Sequence, residues 1–274
     1  MDEFYRGWRR PGPVPPGGVE PEEGETLDYL CGWYRIFQYA KGHRYSTDDV
    51  LTAWYGTSHA PRVARAADLG SGIGSVALIS AWRLPGASFD TVEAQEISLR
   101  LARKSVRYNG LESRFTLHHG DLRDAQLPES SFDLVTGSPP YWPEGTASPS
   151  TFEQAVPARI EVRGSVADYA LAASRILAPG GVFAFVFPTI QLSRVEAALD
   201  DARLALVRRR DVVFKEGEPP LITLFAATRA GDIPATYRPF VEPPLTIRTK
   251  DGGVPPEYSA VRMSFGFPPG NVPA

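Results

Sequence analysis

The chain has 274 residues, 43% hydrophobic and 22% charged, which is globular and allows one large domain or two small ones at about 150 residues each. Lysine and arginine total 29 against 32 acidic residues, so any nucleic-acid partner must be gripped by a local basic patch at a net charge of -3. A single cysteine excludes a disulfide framework and a multi-cysteine metal site, and no apolar run approaches the roughly 20 residues of a membrane helix.

Residues 1–25 hold five prolines and five glycines among scattered charges. Such a composition buries too little apolar surface to fold alone, so the stretch reads as a disordered tail. Between 26 and 230 the pattern alternates. Val63–Leu69 is a short apolar run ending at glycine, Ser75–Trp82 has helical composition, and Phe89–Val92 is strand-like. Ile97–Tyr108 keeps helical spacing up to Asn109-Gly110, a helix stop. Arg114–His118 and Phe132–Thr136 read as strands, Val166–Leu177 as a helix closed by Pro179-Gly180-Gly181, and Val182–Phe187 as a buried strand. Ser193–Ala202 reads as a helix, and Ala205–Phe214 with Leu221–Thr228 as an antiparallel hairpin at one edge. This alternation predicts one α/β domain whose mostly parallel sheet is covered by helices on both faces. From 231 to 274, proline pairs at 243–244, 255–256 and 268–269 exclude long helices and central strands, so this extension is expected to pack over the surface.

Ligands of open α/β sheets bind beyond the carboxyl ends of the strands. The first such end reads Asp68-Leu69-Gly70-Ser71-Gly72-Ile73-Gly74, with three glycines at alternate positions where a backbone can turn tightly against a ligand. The dinucleotide fingerprint has a different spacing, which argues against a nicotinamide or flavin enzyme. Glu93 ends the second strand about 20 residues on, placed to accept hydrogen bonds from ribose hydroxyls. Asp121 follows the third strand, where a carboxylate can meet an adenine amino group. Alone, each acid is an ordinary loop carboxylate; at successive strand ends after a glycine turn they form a pattern.

At the fourth strand end Ser138-Pro139-Pro140-Tyr141-Trp142 forms a stiff corner, because two prolines fix both φ angles and remove both N–H donors. The Ser138 hydroxyl and the Pro139 carbonyl can accept from a planar amino group and aim its nitrogen at an electrophile. The Tyr141 ring can stack on the acceptor, a contact worth roughly 1–3 kcal/mol for a nucleobase. Such a corner needs no strong base, since positioning and a desolvated site carry the barrier reduction.

The glycine turn, the strand-two acid and the Pro-Pro-aromatic corner resemble class I S-adenosylmethionine-dependent methyltransferases of the amino-methylating type. More narrowly, the chain resembles the bacterial adenine-N6 methyltransferases of valine tRNA. That likeness rests on Gly42-His43-Arg44-Tyr45-Ser46-Thr47-Asp48-Asp49-Val50-Leu51, on Ala158-Arg159-Ile160-Glu161, and on Pro244–Ile247. It implies a Rossmann-like, mostly parallel seven-stranded sheet preceded by a strand pair. It also implies that Asp68, Gly70, Ser71, Gly72 and Gly74 surround the methionine part of S-adenosylmethionine, Glu93 and Ala94 its ribose, and Asp121 with Leu122 its adenine. Ser138, Pro139, Pro140 and Tyr141 become the catalytic corner, with Ser138 also beside the cofactor. Tyr45, Thr47 and Asp48 close over the cofactor, the Tyr45 ring near the sulfonium. Arg159 and Arg163 follow the corner within the long connection from Tyr141 to Gly164, a length that is commonly functional, and with Trp142 are candidate substrate contacts. The family carries Asn where this chain has Ser138, and serine is typical of enzymes acting on cytosine N4.

His118 and His119 point to opposite faces of a strand and cannot share a metal, so no metal is expected. Cys31 fits a buried apolar role, and Arg208–Arg210 a solvated strand edge. The expectation is a cytoplasmic tRNA methyltransferase with no membrane partner. A small-metabolite or cytosine-N4 enzyme, a catalytically silent RNA-binding protein, and a homodimer stay open.

Overall fold

The computed structural model describes residues 3–60, 62–143, 145 and 160–270. Strands buried on both faces must lie inside a sheet covered on both sides. Five of them do so here: β5 (Arg65–Leu69), β6 (Ser88–Glu93), β8 (Phe132–Gly137), β9 (Leu177–Pro188) and β11 (Ile222–Arg229). Alternate residues of these strands face opposite layers. Ala67, Val135 and Phe183 pack beneath α4 (Val166–Ile176) and α5 (Leu192–Asp201). Ala66, Leu134 and Ala184 face α1 (Thr47–His59), α2 (Ser75–Arg83) and α6 (Pro256–Ser264). A third cluster joins α3 (Glu96–Tyr108) to the antiparallel pair β3 (Glu25–Tyr29) and β4 (Arg35–Tyr39), through Leu101 and Val106 against Ile36 and Phe37.

With β7 (Phe115–His119), β10 (Leu204–Val213) and β12 (Phe240–Thr246), the sheet has eight strands in the order β12-β10-β11-β9-β8-β5-β6-β7. Strands β7, β6, β5, β8 and β9 run parallel, and β11 is antiparallel to both neighbours. The expected alternation is therefore observed. Two details differ. The hairpin β10–β11 is not the edge, because β12 from the Pro-rich extension adds a parallel strand outside β10. Pro243 and Pro244 fall on that outermost strand, where a missing N–H costs no ladder bond. Strand β9 also begins at Leu177, directly after α4, and the Pro179-Gly180-Gly181 stretch is absorbed by a register shift against β8.

The stretch expected as a disordered tail is seated on the domain from residue 3 onward. It pairs β1 (Phe4–Tyr5) with β2 (Trp8–Arg9), its Arg10 carbonyl accepts from Trp33 Nε1 at 3.2 Å, and the Gly17 N–H donates to the Tyr108 carbonyl at 3.1 Å. Its partners come from the turn between β3 and β4 and from α3, which a composition argument about the segment alone does not include. Helix α1 had no sequence assignment. Val50, Leu51, Thr52, Ala53, Tyr55, Gly56 and Thr57 are all buried, so no amphipathic stripe marks it.

Candidate functional site

The carboxyl ends of β5, β6, β7 and β8 lie side by side, and the loops after them open into a cavity of about 680 Å³. Gly70 and Gly72 have φ of 60° and 56°, left-handed values that let the chain reverse between β5 and α2. A Cβ on Gly70 would stand 1.9 Å from the Tyr169 hydroxyl, so this position also has no room. Gly70→Ala is expected to cost roughly 1–2 kcal/mol in backbone strain, plus the displacement of Tyr169. A thermal melt reads the loss, and an unchanged melting temperature would contradict it.

Asp68 pairs with Thr136 across β5 and β8, and its Oδ1 accepts from Thr136 Oγ1 at 2.7 Å. Burial pushes its carboxyl up to about 7, despite that bond. Glu93 is buried, and its two oxygens accept from the Gln95 N–H at 2.6 Å and the Gly72 N–H at 2.8 Å. It thereby ties the glycine turn to β6, while burial raises its carboxyl above the usual range. Asp121 is chelated by Arg123, whose Nε and Nη2 donate at 2.9 Å and 2.6 Å and hold the carboxyl below its ordinary value.

Of the residues expected at the site, the cavity is lined by Asp48, Asp68, Gly70, Ser71, Gly72, Glu93, Ala94, Asp121, Leu122, Ser138, Pro139, Pro140, Tyr141, Trp142 and Arg163. Tyr45, Thr47 and Gly74 do not line it. The Tyr45 hydroxyl instead donates to the Tyr29 carbonyl at 3.0 Å, and its ring packs on the cluster between β4 and α3. Thr47 opens α1, and Gly74 caps α2. Arg159 lies outside the described residues. Asp49, Ser75, Gln95, Ser98 and Tyr169 line the cavity without having been singled out. Tyr169 sits on the buried face of α4, where helical spacing reads as core packing. A wider, more open hollow of about 780 Å³ lies over Glu3, Arg9, Arg10 and Trp33. It is away from the strand ends, and the chemistry belongs to the first cavity.

Among the described residues, three buried side-chain oxygens of the cavity lining have no hydrogen-bond partner: Asp68 Oδ2, Ser71 Oγ and Ser138 Oγ. Buried polar groups are ordinarily satisfied, so such a cluster marks places for ligand atoms. The five carboxylates Asp48, Asp49, Asp68, Glu93 and Asp121 make the lining acidic. S-adenosylmethionine fits it: a sulfonium and an ammonium suit the acids, and an amino group has a ready acceptor in Asp68 Oδ2.

This sheet order, with a glycine turn and acids at successive strand ends, is that of the class I methyltransferase fold. The methyltransferase small domain model matches residues 57–190, and the chain is a methyltransferase. It is 28% identical over 230 residues to the tRNA1(Val) (adenine(37)-N6)-methyltransferase of Porphyromonas gingivalis, spanning 82% of this chain and 88% of that protein. Over 138 residues it is 35% identical to the 4-amino-L-phenylalanine/4-methylamino-L-phenylalanine methyltransferase of Streptomyces pristinaespiralis, covering 47% of this chain and 46% of that one. A predicted O-methyltransferase from Agrobacterium tumefaciens has the same fold, with a TM-score of 0.63 at 20% identity over 81% of this chain and 98% of that chain.

Proposed function

We propose that the chain methylates an exocyclic amino nitrogen, and that its acceptor is adenine N6 in tRNA. The observation that carries this reading is the buried Ser138 Oγ at the diproline corner, without a partner among the described residues and on the wall of the cofactor cavity. Both named relatives support it, since adenine and 4-amino-L-phenylalanine each carry an NH2 on an aromatic ring. The relative that matches most of the chain acts on tRNA.

S-adenosylmethionine supplies the electrophilic methyl group when bound. Asp68, with Ser71 beside it, holds the cofactor's amino-acid end, and Glu93 and Asp121 its nucleoside. Ser138 Oγ and the Pro139 carbonyl accept the two amino hydrogens and turn the nitrogen lone pair out of conjugation with the ring. Tyr141 holds that ring in plane. The proton leaves the nitrogen after transfer, when the product ammonium is acidic enough to lose it to water. An adenosine must be splayed from its loop to enter, as for other enzymes that act on bases. Arg163 lines the cavity and is the cation assigned to a flanking phosphate. A tRNA substrate places the chain's work in the cytoplasm, and no helix among the described residues is long and apolar enough to cross a membrane.

Bulk tRNA incubated with the protein and S-adenosylmethionine, then digested to nucleosides for mass spectrometry, is expected to gain N6-methyladenosine. Methylation of 4-aminophenylalanine without any change in tRNA would move the reading to a small arylamine.

A further inference from the structure

We propose that Asp48, Phe187 and Gln191 are positioning residues that clamp Tyr141 in one orientation before the acceptor arrives. This rests on the reading of Tyr141 as the residue that packs on the acceptor ring. Tyr141 is held at three separate atoms or groups by three separate parts of the fold. Its hydroxyl donates to Asp48 Oδ2 at 2.6 Å, a bond reaching across 93 residues to the first turn of α1. Its ring meets Phe187 of β9 edge to face, with centroids 5.9 Å apart and planes at 84°. Its carbonyl accepts from Gln191 Nε2 at 2.6 Å, in the turn before α5.

Each of these partners is itself anchored. Arg194 Nη1 donates to Gln191 Oε1 at 2.5 Å, and its guanidinium carbon lies 5.7 Å from the Phe187 ring centroid. The same Arg194 holds Glu161 at 2.6 and 2.9 Å, and the Glu161 N–H donates to the Trp142 carbonyl at 3.0 Å. The two described ends of the connection that follows Tyr141 are therefore tied together and to α5. Asp48 stands at the amino end of α1, where the helix dipole favours a negative charge. Hydroxyl and ring contacts together fix both side-chain torsions of the tyrosine, so an arriving acceptor meets a surface that is already ordered. A tyrosine that served only as filler would need the ring contact and not a charged acceptor for its hydroxyl.

Asp48→Asn and Tyr141→Phe are each expected to lower kcat with bulk tRNA roughly tenfold to a hundredfold. Calorimetry should show the cofactor Kd of Tyr141→Phe within about twofold of wild type, because that change leaves every carboxylate of the cavity in place. The double variant should be no slower than either single one, since both changes delete the same bond. Losses that multiply in the double variant, or a Tyr141→Phe loss in cofactor affinity equal to the loss in kcat, would overturn the clamp. A second readout needs no substrate. In protein labelled with 13C at tyrosine Cζ, the Tyr141 resonance is the one missing from Tyr141→Phe, and it should move in Asp48→Asn. An unmoved resonance sinks the proposal even if tRNA is methylated. If wild type leaves tRNA unmethylated, the substrate reading fails while the resonance still decides the clamp. Should Asp48→Asn fail to fold, Gln191→Leu tests the clamp from the carbonyl side with the same resonance and the same kcat-against-Kd comparison.

Discussion

Asp68→Asn is expected to weaken S-adenosylmethionine binding by roughly a hundredfold to a thousandfold, the scale set by removing one partner of a buried charge pair. Asp68 is buried, its Oδ1 accepts from Thr136, and it lines the cavity. Its carboxyl titrates at about 7, raised first by burial and further by the charges of Asp49 and Glu93. Below that pH the ligand-free site holds a neutral acid, and binding an ammonium must expel the proton. Affinity in wild type should therefore fall about tenfold per unit below pH 7 and level off above it. Calorimetry in two buffers of different ionisation enthalpy should register proton release near neutrality, and Asp68→Asn should abolish it. The same group acts oppositely on folding. Its folded value lies above the unfolded 3.8, so the ligand-free protein binds the extra proton when folded. That contribution is present in acid and is lost as pH rises through about 7. At pH 8 without cofactor, Asp68→Asn should thus melt higher than wild type while binding worse. A variant that both melts lower and keeps its affinity would refute the assignment.

The readable part of this protein is the part governed by local rules. Alternating apolar runs placed the strands and helices from β5 to β11, because burial on both faces leaves a direct trace in composition. The glycine turn was legible since left-handed φ at Gly70 and Gly72 admits few other residues, and the diproline corner since proline announces its own geometry. What stayed hidden depends on partners distant in sequence. Tyr169 reads as one more core residue of α4, and only the packing of α4 on the sheet brings its hydroxyl over Gly70. Asp48 looks like an ordinary first-turn helix acid until Tyr141 is seen 2.6 Å away. Tyr45 is the opposite case: its place in a resembling phrase suggests the sulfonium, whereas its hydroxyl donates to the Tyr29 carbonyl and it is not among the residues that line the cavity. Strand β12 escaped because prolines discourage a strand assignment, and an edge position tolerates them. A homologous phrase fixes which backbone passes near the site; it does not fix which way each side chain turns.

Tyr141→Ala should lower kcat/KM for the acceptor by roughly a hundredfold or more, through the lost stacking surface and the loosened corner together. Cofactor Kd should change far less. Asp68, Ser71, Glu93 and Asp121 come from the ends of β5, β6 and β7, and the carboxylates among them bond to Thr136, Gly72, Gln95 and Arg123 rather than to Tyr141. The substitution also leaves the Asp48 carboxylate without the tyrosine hydroxyl, in a position where burial already raises its carboxyl. Loss of that bond should raise it further, because a hydrogen bond to the charged form was holding it down. The pH profile of any residual turnover in Tyr141→Ala should accordingly shift relative to wild type, whereas Phe187→Leu, which keeps the Asp48 bond, should lose rate without that shift. Equal losses in turnover and cofactor affinity for Tyr141→Ala would mean that the corner supports the cofactor rather than the acceptor, and the division of labour between the four strand ends would have to be redrawn.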